Sequence, residues 1–280
     1  MNSILLLLLA CSDAQKEKPA TQENTTENAA KEAKKAEKKG FAELDLGSLE
    51  EATQKVELIP SPLKMQKELE KAGISNDLGK FIPATTMTTD VKDQEQLAIR
   101  CGILLTDVTL SVKRAEAKII AAQLGELKKG MASLKTGSDI QTVIDELINT
   151  VKQPNFDRDA MLSELDDLAS VLIPELKHES EDWIVPLIQA GTWLEGIHLI
   201  SSAVVAKGDV TNFDFLKQPG AARYFIRYID REGRTQAPPV VIQKVKGTLE
   251  TLEKIASKES ISTEDLQTVQ KETKALLSFI

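Results

Sequence analysis

Apolar residues recur at helical spacing over most of the chain from residue 61 onward, and no stretch alternates long enough to predict a strand. The pattern predicts an all-α fold of about nine antiparallel helices, because short loops join antiparallel neighbours. The predicted helices are 63–72, 93–114, 116–134, 139–152, 157–178, 182–206, 221–231, 240–257 and 262–280.

The segment 182–206 is apolar around most of its circumference and contains both tryptophans, Trp183 and Trp193. A helix of this kind is surrounded either by other helices or by lipid. Its length would suffice to cross a bilayer. However, Glu195 lies at mid-span, where a charge costs roughly 2.5–3.5 kcal/mol. We therefore predict a central helix buried by the amphipathic helices of the same chain.

The segments 97–110 and 186–199 share four identities at an offset of 89 residues, and one of these pairs Gly102 with Gly191. Glycines at matching helix positions allow two backbones to approach closely. The match predicts that two glycine-bearing helices cross at the centre of the fold. It also suggests a degenerate internal duplication, although four identities in 14 residues do not decide this question.

The chain begins with a short apolar run that ends in Leu8-Leu9-Ala10-Cys11 and is followed by polar residues. This motif resembles the lipobox of bacterial lipoproteins, although no Lys or Arg precedes the run. The resemblance implies that 1–10 is a signal segment and that Cys11 becomes the lipidated (palmitate-bearing) N-terminus. In the lipoproteins that this motif resembles, Asp after the cysteine favours retention at the inner membrane. Ser12 stands there in this chain, so the resemblance implies the outer membrane facing the periplasm.

Residues 12–40 contain no aromatic residue and almost no large apolar one, a composition typical of disorder. We expect 11–40 to be a flexible tether and 41–280 to be the helical domain. Across the 280 residues, an apolar content of 41% supports a substantial core, and the net charge of −8 argues against nucleic acid as a partner.

Catalytic motifs are scarce in this sequence, which lacks a G-x-S-x-G motif, a phosphate-binding loop and a Cys-x-x-Cys pair. Glu175 with His178, and Glu195 with His198, have the E-x-x-H spacing of di-iron bundles. The two motifs would lie about 24 Å apart along the returning helix, too far to share a metal. We predict no metal and no cofactor, and we interpret Cys101 as a small buried apolar residue.

A first candidate site involves polar residues of the two glycine-bearing helices. Arg100 would pair with Glu195 across the crossing, because a buried charge needs a partner, and the pocket would take a small anion. As an alternative to this pocket, Arg100 and Asp107 would belong to a partly solvated polar stripe of their helix. His198 would then simply hydrogen-bond a neighbouring helix. The predicted ligand-binding residues are Arg100, Asp107, Trp193, Glu195 and His198.

A second candidate site is the segment 222–234, in which arginines recur every four residues with tyrosines beside them. Arg and Tyr are enriched at binding hot spots. The alternative is a solvated face whose arginines pair with the acidic remainder of the protein. The predicted partner-binding residues are Arg223, Tyr224, Arg227, Tyr228 and Arg231.

These observations favour a lipid-anchored envelope protein whose non-catalytic helical domain binds a protein or other envelope partner. The alternatives are a binding module for a small anionic ligand and, less favoured, a metal-dependent enzyme using Glu195 and His198. The lipid on Cys11 is the predicted contact with the membrane.

Overall fold

Eight α-helices make up most of the part of the chain that the computed structural model describes: residues 63, 64, 67, 70, 78–179, 184–208, 216–232 and 239–280. These residues belong to one compact unit, Glu43–Ile280. The predictions for the signal segment, for the tether and for Cys11 lie outside the described residues. The side chains of 170, 171, 173–179, 231 and 232 lie outside them as well, and these include His178.

The helices in chain order are α1 (Gln94–Ser111), α2 (Ala117–Ser133), α3 (Ser138–Val151), α4 (Arg158–Glu179), α5 (Ile184–Lys207), α6 (Pro219–Glu232), α7 (Pro239–Ala256) and α8 (Thr263–Phe279). A 3-10 helix, Leu78–Phe81, precedes them. No strand occurs in the described residues, so the all-α prediction is confirmed, with eight helices there rather than about nine. Of the helix predicted at 63–72, the four described residues are helical.

Several helix boundaries follow from side chains that satisfy free backbone amides at the first turn. The Asp93 carboxylate accepts a hydrogen bond from the Gln96 amide at 2.7 Å and caps α1. Ser262 and Asp265 form a capping box at the start of α8, each accepting from the other's backbone amide. These two helix starts are therefore encoded locally.

The apolar side chains form two clusters, one built mainly by α1–α4 and the other mainly by α5–α8. The first helix of each half also contributes to the other cluster. Ile188 of α5 packs in the first cluster, and Ile103 of α1 packs in the second. The two four-helix halves are thus joined through α1 and α5.

The α1 and α5 helices cross at Gly102 and Gly191. A β-carbon on Gly102 would lie 2.8 Å from the Thr192 amide nitrogen, and one on Gly191 would lie 3.2 Å from Gly102 Cα. Only glycine allows this approach, so the predicted glycine crossing is confirmed. The two helices run parallel, since Ile99 lies at Gly191 whereas Thr106 reaches Thr192. This is the direction that antiparallel sequential neighbours give to the first and the fifth helix of an alternating bundle.

Most of α5 is buried, as predicted for the central helix. Its burial comes from α1 on one side and from α8 and α6 on others, so that the apolar circumference is covered by protein. Among the described helices, none combines the length and the apolar character that crossing a membrane requires.

Candidate functional site

Asp107 of α1 and Glu195 of α5 form a pair of buried carboxyl groups beside the glycine crossing. Asp107 is 7% exposed and Glu195 is 3% exposed. The two carboxyl groups meet across the contact of α1 with α5, within hydrogen-bonding reach of each other. Because an ionised carboxylate can only accept, at least one of the two must carry a proton for a hydrogen bond to join them.

The environment of this pair opposes ionisation. Burial raises the pKa of Asp107 to about 7. Burial also raises the pKa of Glu195 well above its usual range, and the neighbouring Asp107 carboxyl adds to that effect. No cation among the described residues contributes to either pKa, so the pair holds its protons into the neutral range.

Other polar groups next to the crossing are partly satisfied by the helices themselves. The hydroxyls of Thr106 and Thr192 each donate to the Gly102 carbonyl at 3.2 Å. One turn beyond Asp107, the Ser111 hydroxyl accepts a hydrogen bond from the side-chain nitrogen Nε2 of Gln123 at 3.3 Å. Asp107 Oδ1 and Gln123 Oε1 have no hydrogen-bond partner within the part of the chain that the structure describes.

Arg100 does not pair with Glu195, and this corrects the predicted network. Its Nε donates to the Ile280 carbonyl at 2.7 Å, and its Nη1 donates to the Thr88 carbonyl at 2.5 Å. Gln96 donates to the same Ile280 carbonyl. Arg100 therefore ties α1 to the loop before it and to the residue after α8. The sequence carries no signal for these contacts, because both acceptors are backbone oxygens.

Trp193 and His198 also point away from the carboxyl pair. The Trp193 indole nitrogen donates to Gln218 at 3.1 Å, and its ring lies 5.8 Å from that of Phe225. His198 Nδ1 lies 3.1 Å from the Thr273 hydroxyl on α8, so its predicted bond to a neighbouring helix is confirmed.

Burial lowers the pKa of His198 to about 4, and the charge of Lys274 lowers it further. The imidazole is therefore neutral in the fold at neutral pH. Of the residues predicted to bind a ligand together, Asp107 and Glu195 interact with each other, whereas the polar groups of Arg100, Trp193 and His198 have other partners.

The predicted partner-binding residues lie on α6 and differ from one another in exposure. Tyr224 is buried, and its ring meets that of Phe225 edge-on at 5.2 Å. Arg223 Nε lies 2.8 Å from Glu253 Oε1 of α7. Arg227 is exposed and forms no ion pair among the described residues, and Tyr228 is half-buried. Arg231 belongs to α6, but its side chain lies outside the described residues.

Metal-ligating side chains are dispersed in the described part of the chain. There, no group of three or more His, Cys, Asp or Glu residues is arranged to hold a metal ion. Cys101 is buried, and a β-carbon on Gly130 would lie 2.5 Å from its sulfur. Burial raises the pKa of the Cys101 thiol to about 12, so it behaves as the small apolar residue that we predicted.

Comparisons with protein-family models, with curated proteins and with solved structures find no match for this chain. Two arrangements in the fold carry candidate function: the buried carboxyl pair between α1 and α5, and the exposed Arg227 of α6.

Proposed function

We propose that this chain is a lipid-anchored protein of the bacterial envelope whose helical domain binds an acidic protein partner through α6. Lipid on Cys11 would hold it at the outer membrane facing the periplasm, and residues 11–40 would let the domain reach away from the bilayer. The exposed side chain of Arg227, on a helix whose other face is buried, is the observation that carries the proposal.

The α6 helix is a rigid support for such a surface. Phe225 is 2% exposed and packs against Trp193 of the central helix. Tyr224 packs against Phe225, and the ion pair of Arg223 with Glu253 ties α6 to α7. A binding group on a fixed helix loses little conformational freedom on association, which favours affinity.

Charge defines the chemistry of the partner. The protein carries a net charge of −8, whereas the segment around Arg227 is basic. Arg227 has no carboxylate partner among the described residues, and its planar donors can bind a carboxylate of another molecule. The half-buried Tyr228 would add apolar contact area beside it. An acidic protein surface fits this combination.

The buried carboxyl pair argues against the alternative of an anionic ligand near the central helix. Arg100, the cation expected to attract the ligand, is bonded to the carbonyls of Thr88 and Ile280 instead. Asp107 and Glu195 would repel an anion whenever either group is ionised.

Co-purification from detergent-solubilised envelopes tests the proposal with Arg227→Glu beside the wild type. The matched control is Lys271→Glu, which makes the same charge change at an exposed position of α8. We expect the stability of both variants to change by no more than about 0.5 kcal/mol. Partner recovery should fall only for Arg227→Glu, by an amount equivalent to about 2 kcal/mol.

Identical sets of recovered proteins from all three samples would reject the α6 interface. Loss of recovery in both variants would assign the effect to overall charge rather than to this surface. Equal binding of the wild type and Arg227→Glu to vesicles of anionic lipid would exclude lipid head groups as the target of Arg227.

A further inference from the structure

The carboxyl pair lies where the two halves of the fold meet. Asp107 belongs to α1, the first helix of the half 94–179, and Glu195 belongs to α5, the first helix of the other half. The two side chains meet across these halves, beside the close backbone approach of Gly102 and Gly191. Any change in the interaction of the two carboxyls therefore acts directly on the contact between α1 and α5.

The bond between these carboxyls depends on a proton. With one proton the pair is a carboxylic acid donating to a carboxylate, which is a strong charge-assisted hydrogen bond. With none, two negative charges face each other at 7% and 3% exposure, and little water can screen them. Asp107 Oδ1 has no partner among the described residues that would stabilise a second charge.

We propose that Asp107 and Glu195 share a proton and so act as a pH-sensitive latch that holds α1 against α5 and weakens when both groups are ionised. The proposal concerns the coupling of the two halves and does not depend on a partner of α6.

The charged groups of neighbouring elements do not take over this role. On α5 itself, His198 is turned toward Thr273 of α8, and Lys274 of α8 acts on that histidine. From α2, the side chain near this part of α1 is the uncharged Gln123. The half-buried Asp166 of α4 contributes to neither pKa, and the same holds for every lysine and arginine of the described residues.

The direction of the pH dependence follows from the raised pKa values. Unfolded Asp and Glu ionise near pH 4, whereas in the fold Asp107 holds its proton to about 7 and Glu195 holds its proton well above the usual range. The folded state therefore binds more protons above pH 4. The stabilising effect of the pair is complete below pH 4 and is lost as the pH rises through 7 and beyond.

Chemical denaturation of the full chain between pH 5 and 9 tests the latch. The variants are Asp107→Asn, Glu195→Gln and the double variant, and the controls are Glu164→Gln and Glu259→Gln at exposed sites. In the wild type, ionisation of the pair should increase the equilibrium constant of unfolding with pH, by up to about tenfold per pH unit for each carboxyl. This pH-dependent increase should be smaller in each single variant, absent in the double variant and unchanged in the controls.

Parallel pH profiles for the wild type and the double variant would overturn the proposal. If the double variant does not fold, infrared spectroscopy of the wild type decides. At pH 7 the exposed carboxyls are ionised, so the latch predicts a carbonyl band from a protonated buried carboxyl that disappears as the pH rises. A wild-type spectrum without this band at pH 7 would equally reject the shared proton.

Discussion

Gly102 of α1 and Gly191 of α5 face each other so closely that a β-carbon on Gly191 would lie 3.2 Å from Gly102 Cα. The approach brings two parallel backbones together and leaves room for Thr106 and Thr192 to donate to the Gly102 carbonyl. It also brings the first helices of both halves near enough for Asp107 and Glu195 to bond. The glycine pair thus sets the geometry of the centre of the fold.

Adding a methyl group at this crossing should be costly. In Gly102→Ala the new β-carbon would overlap the Ile188 carbonyl and lie 2.8 Å from the Thr192 amide, both of them backbone atoms that cannot rotate away. We expect the free energy of unfolding to fall by about 1–3 kcal/mol, as for other overpacked cores. Urea denaturation measures this loss.

The matched control is Gly247→Ala, which makes the same chemical change in the middle of α7. Gly247 is exposed, and nothing lies within 4 Å of the position that its new β-carbon would take. Because alanine is the better helix former, this variant should gain about 0.5–1 kcal/mol. Equal stability of the two variants would contradict the close crossing.

His198 should make the protein sensitive to acid. Its pKa in the fold, about 4, lies below the unfolded value of 6.5, so the unfolded state binds more protons between these limits. Stability is therefore lost as the pH falls from 6.5 toward 4. In His198→Gln this loss, on the order of 3 kcal/mol, should be absent.

Denaturation of the wild type and of His198→Gln at pH 7 and pH 4 gives the stability lost by each protein on acidification. Both proteins contain the carboxyl pair, so its titration cancels when the two losses are compared. Lys274→Met should raise the pKa of His198 and reduce the acid sensitivity, since the charge of Lys274 lowers that pKa. Lys271→Met, on the same helix, is the control for lysine removal. The same acid sensitivity in His198→Gln as in the wild type would show that another group titrates.

The lipid anchor can be tested independently of the helical domain. Cys11→Ser removes the only residue of Leu8-Leu9-Ala10-Cys11 that can carry the lipid. We expect palmitate labelling of the wild type and none of the variant, which should leave the membrane fraction. Labelling that is equal in both proteins would reject the lipoprotein hypothesis, whereas Cys101→Ser should label as the wild type does.

Much of the fold was predictable because helical periodicity and caps act over a few residues. Asp93 and Ser262 mark helix starts, and the apolar circumference of 182–206 indicated a central helix. The match of Gly102 with Gly191 even predicted the close crossing, since only glycine permits such an approach.

The pairing of polar side chains was decided by the tertiary structure. Arg100 was expected to meet Glu195, but the rotation of α1 directs it to the Ile280 carbonyl and leaves Asp107 facing Glu195. Similarly, nothing in the sequence linked Trp193 to Gln218. The sequence by itself determined which segments are helical and which faces are apolar, because those properties depend on neighbouring residues. Which polar group meets which depends on the rotation and direction of packed helices, and these are settled only when all apolar faces are buried together.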